Sequence, residues 1–269
     1  MRFLTDSFLP MFSIETFSLH DMTELSGEIR ELGAGARTQE EIADRIVNHL
    51  YEEFTYQTSS EKAFALARFF ISLPYKELES PLKRYVESKR SDHQDLRPDT
   101  RCLTLLASCG QNPEWCDRTK SIDHRAIPID SPDLATELPM IALLCKQFGI
   151  ESNSVADVVL SHPDKLAHAV ATIDSDVVMD QDQATFNVFF VPDALDSPYI
   201  YAQEDFVKPY GIKSVLGYGG ILSAGQIFAV ILFSRASIRR EVAQRFKPLA
   251  LSTKNALLQV PQDKVFDLP

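Results

Sequence analysis

No apolar run in this chain is long enough to cross a membrane. The longest, 227–233, falls far short of the roughly 18 residues that a spanning helix needs. The N-terminus also lacks the charged, apolar and small-residue succession of a signal peptide. Positive charge is in the minority: 27 Lys and Arg against 38 Asp and Glu leave a net charge of −11. Broad nucleic-acid binding needs a basic footprint and is disfavoured. Cysteine is scarce. Cys102, Cys109, Cys116 and Cys145 include no CxxC pair, the usual source of zinc ligands, so a structural zinc has little support. Disorder, collagen, a disulfide scaffold and a membrane protein are set aside. What remains is 269 residues, 45% hydrophobic, able to bury the core of one or two domains without staples. A cytoplasmic protein with reduced thiols is the expectation, two of them on or beside a buried strand.

Catalytic signatures are equally sparse. There is no GxxxxGK[ST], no GxSxG and no HExxH, which removes the anchors for a P-loop, a hydrolase elbow and a zincin. Gly217, Gly219 and Gly220 resemble half of a dinucleotide fingerprint. Leu222 stands where the third glycine belongs, and an apolar strand rather than a helix follows. These glycines read as places where a backbone, ring or ligand approaches a sheet closely. The acids around Asp174, Asp176, Asp180 and Asp182 do not have calcium-loop spacing. With no residues converging on a reaction, the pattern suits a binding module better than an enzyme.

The apolar segments are easier to place. Aromatics in 1–20 read as an extended arm lying on the domain or on a partner. A helix is expected at 22–32, and another from Thr38, where Thr38 and Glu41 have capping-box spacing and Ile42, Ile46, Val47, Leu50 and Phe54 form a stripe. Residues 63–73, apolar apart from Arg68, read as a buried strand. A short helix at 81–90, a strand at 101–109 and an edge strand at 124–129 follow. A helix is expected at 138–148, then an acidic insertion at 150–184. Strands are expected at 186–191, 214–222 and 226–233, with a short helix in 201–210. The last two strands pair as a hairpin through Ser223, Ala224 and Gly225. Ser237 is placed to cap a long final helix, kinked at Pro248. The class is α+β with a largely antiparallel sheet.

Two stretches carry a family resemblance. Residues 205–235 (DFVKPYGIKSVLGYGGILSAGQIFAVILFSR) with the following FKPLALSTKNALL resemble the C-terminal half of GAF-like sensor domains found ahead of bacterial histidine kinases. PEWCDRTKSIDHRAIPI, at 113–129, is similar to the middle of that group, and 38–71 to its opening helix and strand. The resemblance implies a GAF/PAS-like antiparallel sheet of five or six strands, with helices on one face and a ligand pocket on the other. It divides the chain into an N-terminal arm and helix (1–37), a GAF-like domain (38–258) and a tail (259–269). It implies a non-catalytic sensor in a two-component system, relaying a shape change to a histidine kinase or another signalling protein. It also implies homodimers formed through the terminal helices. No output domain follows the final helix, so a stand-alone sensor and a piece of a longer protein both stay open.

Under this resemblance the pocket residues are Trp115, Arg118, His124, Arg125, Tyr210 and Tyr218, with the two arginines favouring an anionic group. Two alternatives remain: a ligand-free scaffold acting through dimerisation, and a thiol-dependent reductase. Some family members reduce free methionine sulfoxide with a set of cysteines, which keeps Cys102, Cys109 and Cys116 in view. Bilin-binding members carry a cysteine next to a histidine, and that signature is absent here. The arginines and lysine at 235, 239, 240, 245 and 247 read as a solvated basic face or a dock for an acidic partner.

Overall fold

The computed structural model describes residues 12–89, 96–129, 186–223 and 225–266. Six strands form one antiparallel sheet: β3 (Phe64–Pro74), β4 (Arg101–Gly110), β5 (Ala126–Pro128), β6 (Phe186–Val191), β7 (Ser214–Ile221) and β8 (Ile227–Ser234). Their spatial order is β5-β4-β3-β8-β7-β6. β7 and β8 pair continuously from Ser214↔Ser234 to Ile221↔Ile227, as the expected hairpin requires. Short β5 closes one edge with Pro128, where a missing N–H costs no ladder bond. The architecture is α+β and GAF/PAS-like, as expected.

One face of the sheet is covered by helices. α1 (Leu19–Glu31), α2 (Gln39–Glu53) and the C-terminal helices lie there, and α3 (Ser80–Lys89) completes the layer by packing near β5. Ser18 caps α1 reciprocally with Asp21. Thr38 caps α2 as expected, by accepting from the Glu41 N–H. The Glu41 carboxylate, however, takes the Arg37 N–H rather than closing the box. Ile42, Ala43, Ile46, Val47 and Leu50 of α2 bury into the sheet, and Leu25 and Ile29 of α1 join the same core.

Several expectations change. The arm is part of the core: β1 (Phe12–Ser13) pairs in parallel with β2 (Phe54–Thr55), and Phe12, Ile14 and Phe17 are fully buried. Phe12, Phe17, Phe54, Phe64 and Phe246 pack as one aromatic cluster with ring centroids 5.1–5.8 Å apart. Val260, Val265 and Phe266 belong to the same core, so it runs across both proposed boundaries. The long final helix is instead two, α4 (Arg240–Gln244) and α5 (Lys247–Leu257). Pro248 sits in the first turn of α5, where no N–H is required. Ser237 does not cap it: the cap before α4 is Arg239. The basic cluster is divided: Arg239 and Arg240 are exposed, as a solvated face requires, while Arg235 donates to the Lys62 carbonyl and Arg245 to the Phe17 carbonyl.

Segments 138–148 and 150–184 lie outside the described residues. Among the described residues no helix is long and apolar enough to cross a membrane.

Candidate functional site

Side chains alternate along β3. Ala67, Phe69 and Ile71 face the helices, while Leu66, Arg68 and Phe70 face the other way. β8 alternates in register, with Leu66 opposite Phe233 and Arg68 opposite Ile231. These residues floor a cavity of about 290 Å³ on the face opposite the helical layer. One wall is the 114–124 loop, bringing Glu114, Trp115, Lys120, Ser121, Asp123 and His124. The other is 199–206, bringing Tyr199, Tyr201 and Phe206. Ile122 and Tyr201 are strongly exposed at its margin.

Both walls are held by local hydrogen bonding. The Asn112 side chain caps the turn Pro113–Cys116 that carries Trp115. Gly110 lies beneath: a Cβ there would meet Trp115 Cε3 at 2.9 Å and the Ala65 carbonyl at 2.7 Å. The Trp115 ring meets Tyr210 at 4.6 Å and Phe206 at 5.6 Å, and Phe206 stands edge-on to Phe233 at 5.0 Å. In the opposite wall the Gln203 amide donates to the carbonyls of Ala194 and Ile200, and its oxygen accepts from the Asp196 N–H. A π-helical turn, Gln203–Val207, stands where a short helix was expected.

The charge at the centre is Arg68. Its Nη2 donates to Ser121 Oγ at 3.1 Å, and Ser121 Oγ donates to the Asp123 carbonyl at 2.7 Å. Its Nε is sealed from solvent and has no hydrogen-bond partner among the described residues. Burial draws the guanidinium down to about 10, which leaves it cationic at neutral pH. The nearby Asp123 carboxylate is taken by Lys89 at 2.9 Å and held below the usual carboxylate range. His124, at φ +63°, is half-buried. Burial and then the Arg68 charge push its imidazole down to about 4, so it is neutral at neutral pH.

Of the six residues expected from sequence, Trp115 and His124 line the cavity, and Tyr210 supports Trp115 from behind. The other three do not reach it. Arg118 faces the helical layer, where it pairs with Glu40 and with Glu79 at 3.1 Å and lies over the Phe266 ring. Arg125 stacks on Tyr85 of α3 with its guanidinium 5.5 Å from the ring. Tyr218 is buried beneath α5, its hydroxyl 3.4 Å from Thr253 Oγ1. Its position follows from the period of two: in β7 the residues facing the cavity side are Val215 and the glycines Gly217 and Gly219.

Sequence reading passed over Arg68, although a single charge inside an otherwise apolar strand was the available signal.

Cys102 and Cys109 are buried on β4, and Cys116 is exposed. Cys109 and Cys116 approach to 3.7 Å between sulfurs. Burial, then the neighbouring Cys116, push the Cys109 thiol up. Among the described residues no group of three or more His, Cys, Asp or Glu is placed to hold a metal.

No family profile matches the chain, and no curated protein matches it. Among solved structures it is similar to the N-acylhomoserine lactone-dependent LuxR family transcription factor CepR2 of Burkholderia cenocepacia. That chain is 12% identical, with 89% of this chain and 93% of the other covered and a TM-score of 0.37. A likeness this loose carries no argument about function.

Proposed function

We propose that this chain is a GAF-like signal-sensing module that binds a small molecule on the sheet face opposite the helical layer and passes a shape change to a partner. The observation that carries this reading is the cavity of about 290 Å³ floored by β3 and β8. Its size is at the lower end for small-molecule sites, and a few polar groups converge within a mostly apolar lining, as such sites require. The module does no chemistry of its own in this reading. Its output partner is a histidine kinase or another signalling protein, and it works as a homodimer in the cytoplasm.

Native mass spectrometry of protein purified from its own host, compared with the denatured mass, tests this. An added non-covalent mass supports the sensor, and the same spectrum reads monomer or dimer. A clean mass from every source tried favours the ligand-free scaffold.

The approach of Cys109 to Cys116 favours a second reading, a thiol-dependent reductase. It requires reductase activity that is lost in Cys109→Ser and in Cys116→Ser. The raised Cys109 thiol counts against it, because thiol chemistry runs through the thiolate.

A further inference from the structure

The sensor reading leaves open what kind of molecule the cavity takes. Arg68 narrows the choice. An arginine fork offers five N–H donors, and among the described residues Arg68 spends one of them, on Ser121. Its Nε is dry and unsatisfied, and no described carboxylate lies within 4 Å, because Asp123 is bound to Lys89. A cation in that condition is costly until an anion arrives. A planar carboxylate matches the fork with two parallel hydrogen bonds. Beside it, neutral His124 adds a hydrogen-bonding group without a second positive charge.

The walls limit the charge of the guest. Glu114, Asp123 and Lys120 also line the cavity, but Lys89 holds Asp123 and Asp117 holds Lys120. Arg68 is therefore the lining cation left without a carboxylate among the described residues, and a dianion such as a phosphate monoester would bring more negative charge than it can meet, with Glu114 alongside. Most of the remaining lining is hydrocarbon and aromatic, Leu66, Phe70, Trp115, Phe206, Ile231 and Phe233 among it. A guest that leaves these against water gains little.

We infer that the cavity binds an apolar monocarboxylate, with its carboxylate on Arg68 and its hydrophobic body between Trp115, Phe206 and Phe233. This inference rests on the sensor reading and assigns its ligand class.

The test uses the full chain and a matched pair of probes, 4-phenylbutanoate and the neutral 4-phenylbutanamide. Trp115 is the sole tryptophan and lines the cavity, so its emission reports occupancy. The carboxylate should bind at least about tenfold more tightly than the amide. Arg68→Gln should abolish that preference by weakening the carboxylate alone. Arg68→Lys, which keeps the charge without the fork, should retain part of it. Thermal melts establish that both variants fold, and if Arg68→Gln does not, the comparison with Arg68→Lys stands in its place. Equal binding of the two probes, indifferent to either variant, overturns the carboxylate assignment and leaves the ligand site intact. Failure of both probes to bind the folded wild-type protein overturns the assignment together with the reading beneath it.

Discussion

Arg68 reaches from the floor of the cavity to Ser121 in its wall, Nη2 to Oγ at 3.1 Å, and the same hydroxyl holds the Asp123 carbonyl at 2.7 Å. One hydroxyl therefore ties a β-strand to a loop that has no strand or helix of its own at that point. Ser121→Ala should cost about 1.5–3 kcal/mol, the usual range for a hydrogen bond to a charged group. Urea unfolding measures it. A variant as stable as wild type would mean that the tie contributes nothing.

His124 makes stability depend on pH above the carboxylate range. Its folded value of about 4 lies below the unfolded value of 6.5. Between the two the unfolded chain binds more protons, so stability is full above about 6.5 and falls as the pH drops toward 4. From about pH 7.5 to about pH 5 the loss due to this residue should be about 2 kcal/mol. Asn tolerates the φ of +63° and does not titrate. His124→Asn should therefore lose about 2 kcal/mol less than wild type over the same interval. Parallel denaturation curves at the two pH values decide it, and equal losses would count against the buried neutral imidazole.

Gly110 sits where a side chain cannot. The added Cβ of Gly110→Ala would press on Trp115 Cε3 at 2.9 Å and on a backbone carbonyl at 2.7 Å. A stability loss of about 1–3 kcal/mol is expected, with a shift in Trp115 emission as the ring moves. Unchanged emission would show that Trp115 does not rest on this glycine.

Arg118 is a fastener rather than a ligand contact. Arg118→Met should lower stability by about 2 kcal/mol, because Glu40 and Glu79 are left facing each other without their shared cation. Trp115 emission and probe binding should stay as in wild type. A selective loss of binding, with stability retained, would return Arg118 to the site.

The described thiols should separate by access. Iodoacetamide on native protein should modify Cys116 first, leaving Cys102 and Cys109 until unfolding, as peptide mass mapping would show. Early modification of Cys109 would contradict its burial and its raised thiol.

Much of this fold is legible in sequence because its signals are local. The stripe from Ile42 to Leu50, the apolar run at 227–233 and the turn at Ser223 each specify an element from neighbouring residues. The break between α4 and α5 is less so. Pro248 kinks a helix in its interior but starts one at its first turn, and the periodic positions Val242, Phe246 and Leu249 look alike in both cases. The cavity is legible only in part. Trp115 and His124 stand out as unusual residues on a loop, whereas Leu66, Ile231 and Phe233 look like ordinary strand core until the face they share is found to floor a cavity. Tyr218 shows the opposite error, since an aromatic beside glycines attracts notice although strand parity sends it under α5.

The alternation in β3 also sets how this chain can change over generations. Leu66, Arg68 and Phe70 serve the cavity, and Ala67, Phe69 and Ile71 serve the helices, one residue out of step. A single-codon deletion or insertion in β3 that was not taken up as a bulge, as the strand takes up its irregularity between Phe64 and Leu66, would exchange the two sets beyond it and bring the cavity-facing set against the packing of α2. The walls carry no such parity, so the lineage can alter what the cavity accepts by lengthening or shortening loops while the floor keeps count.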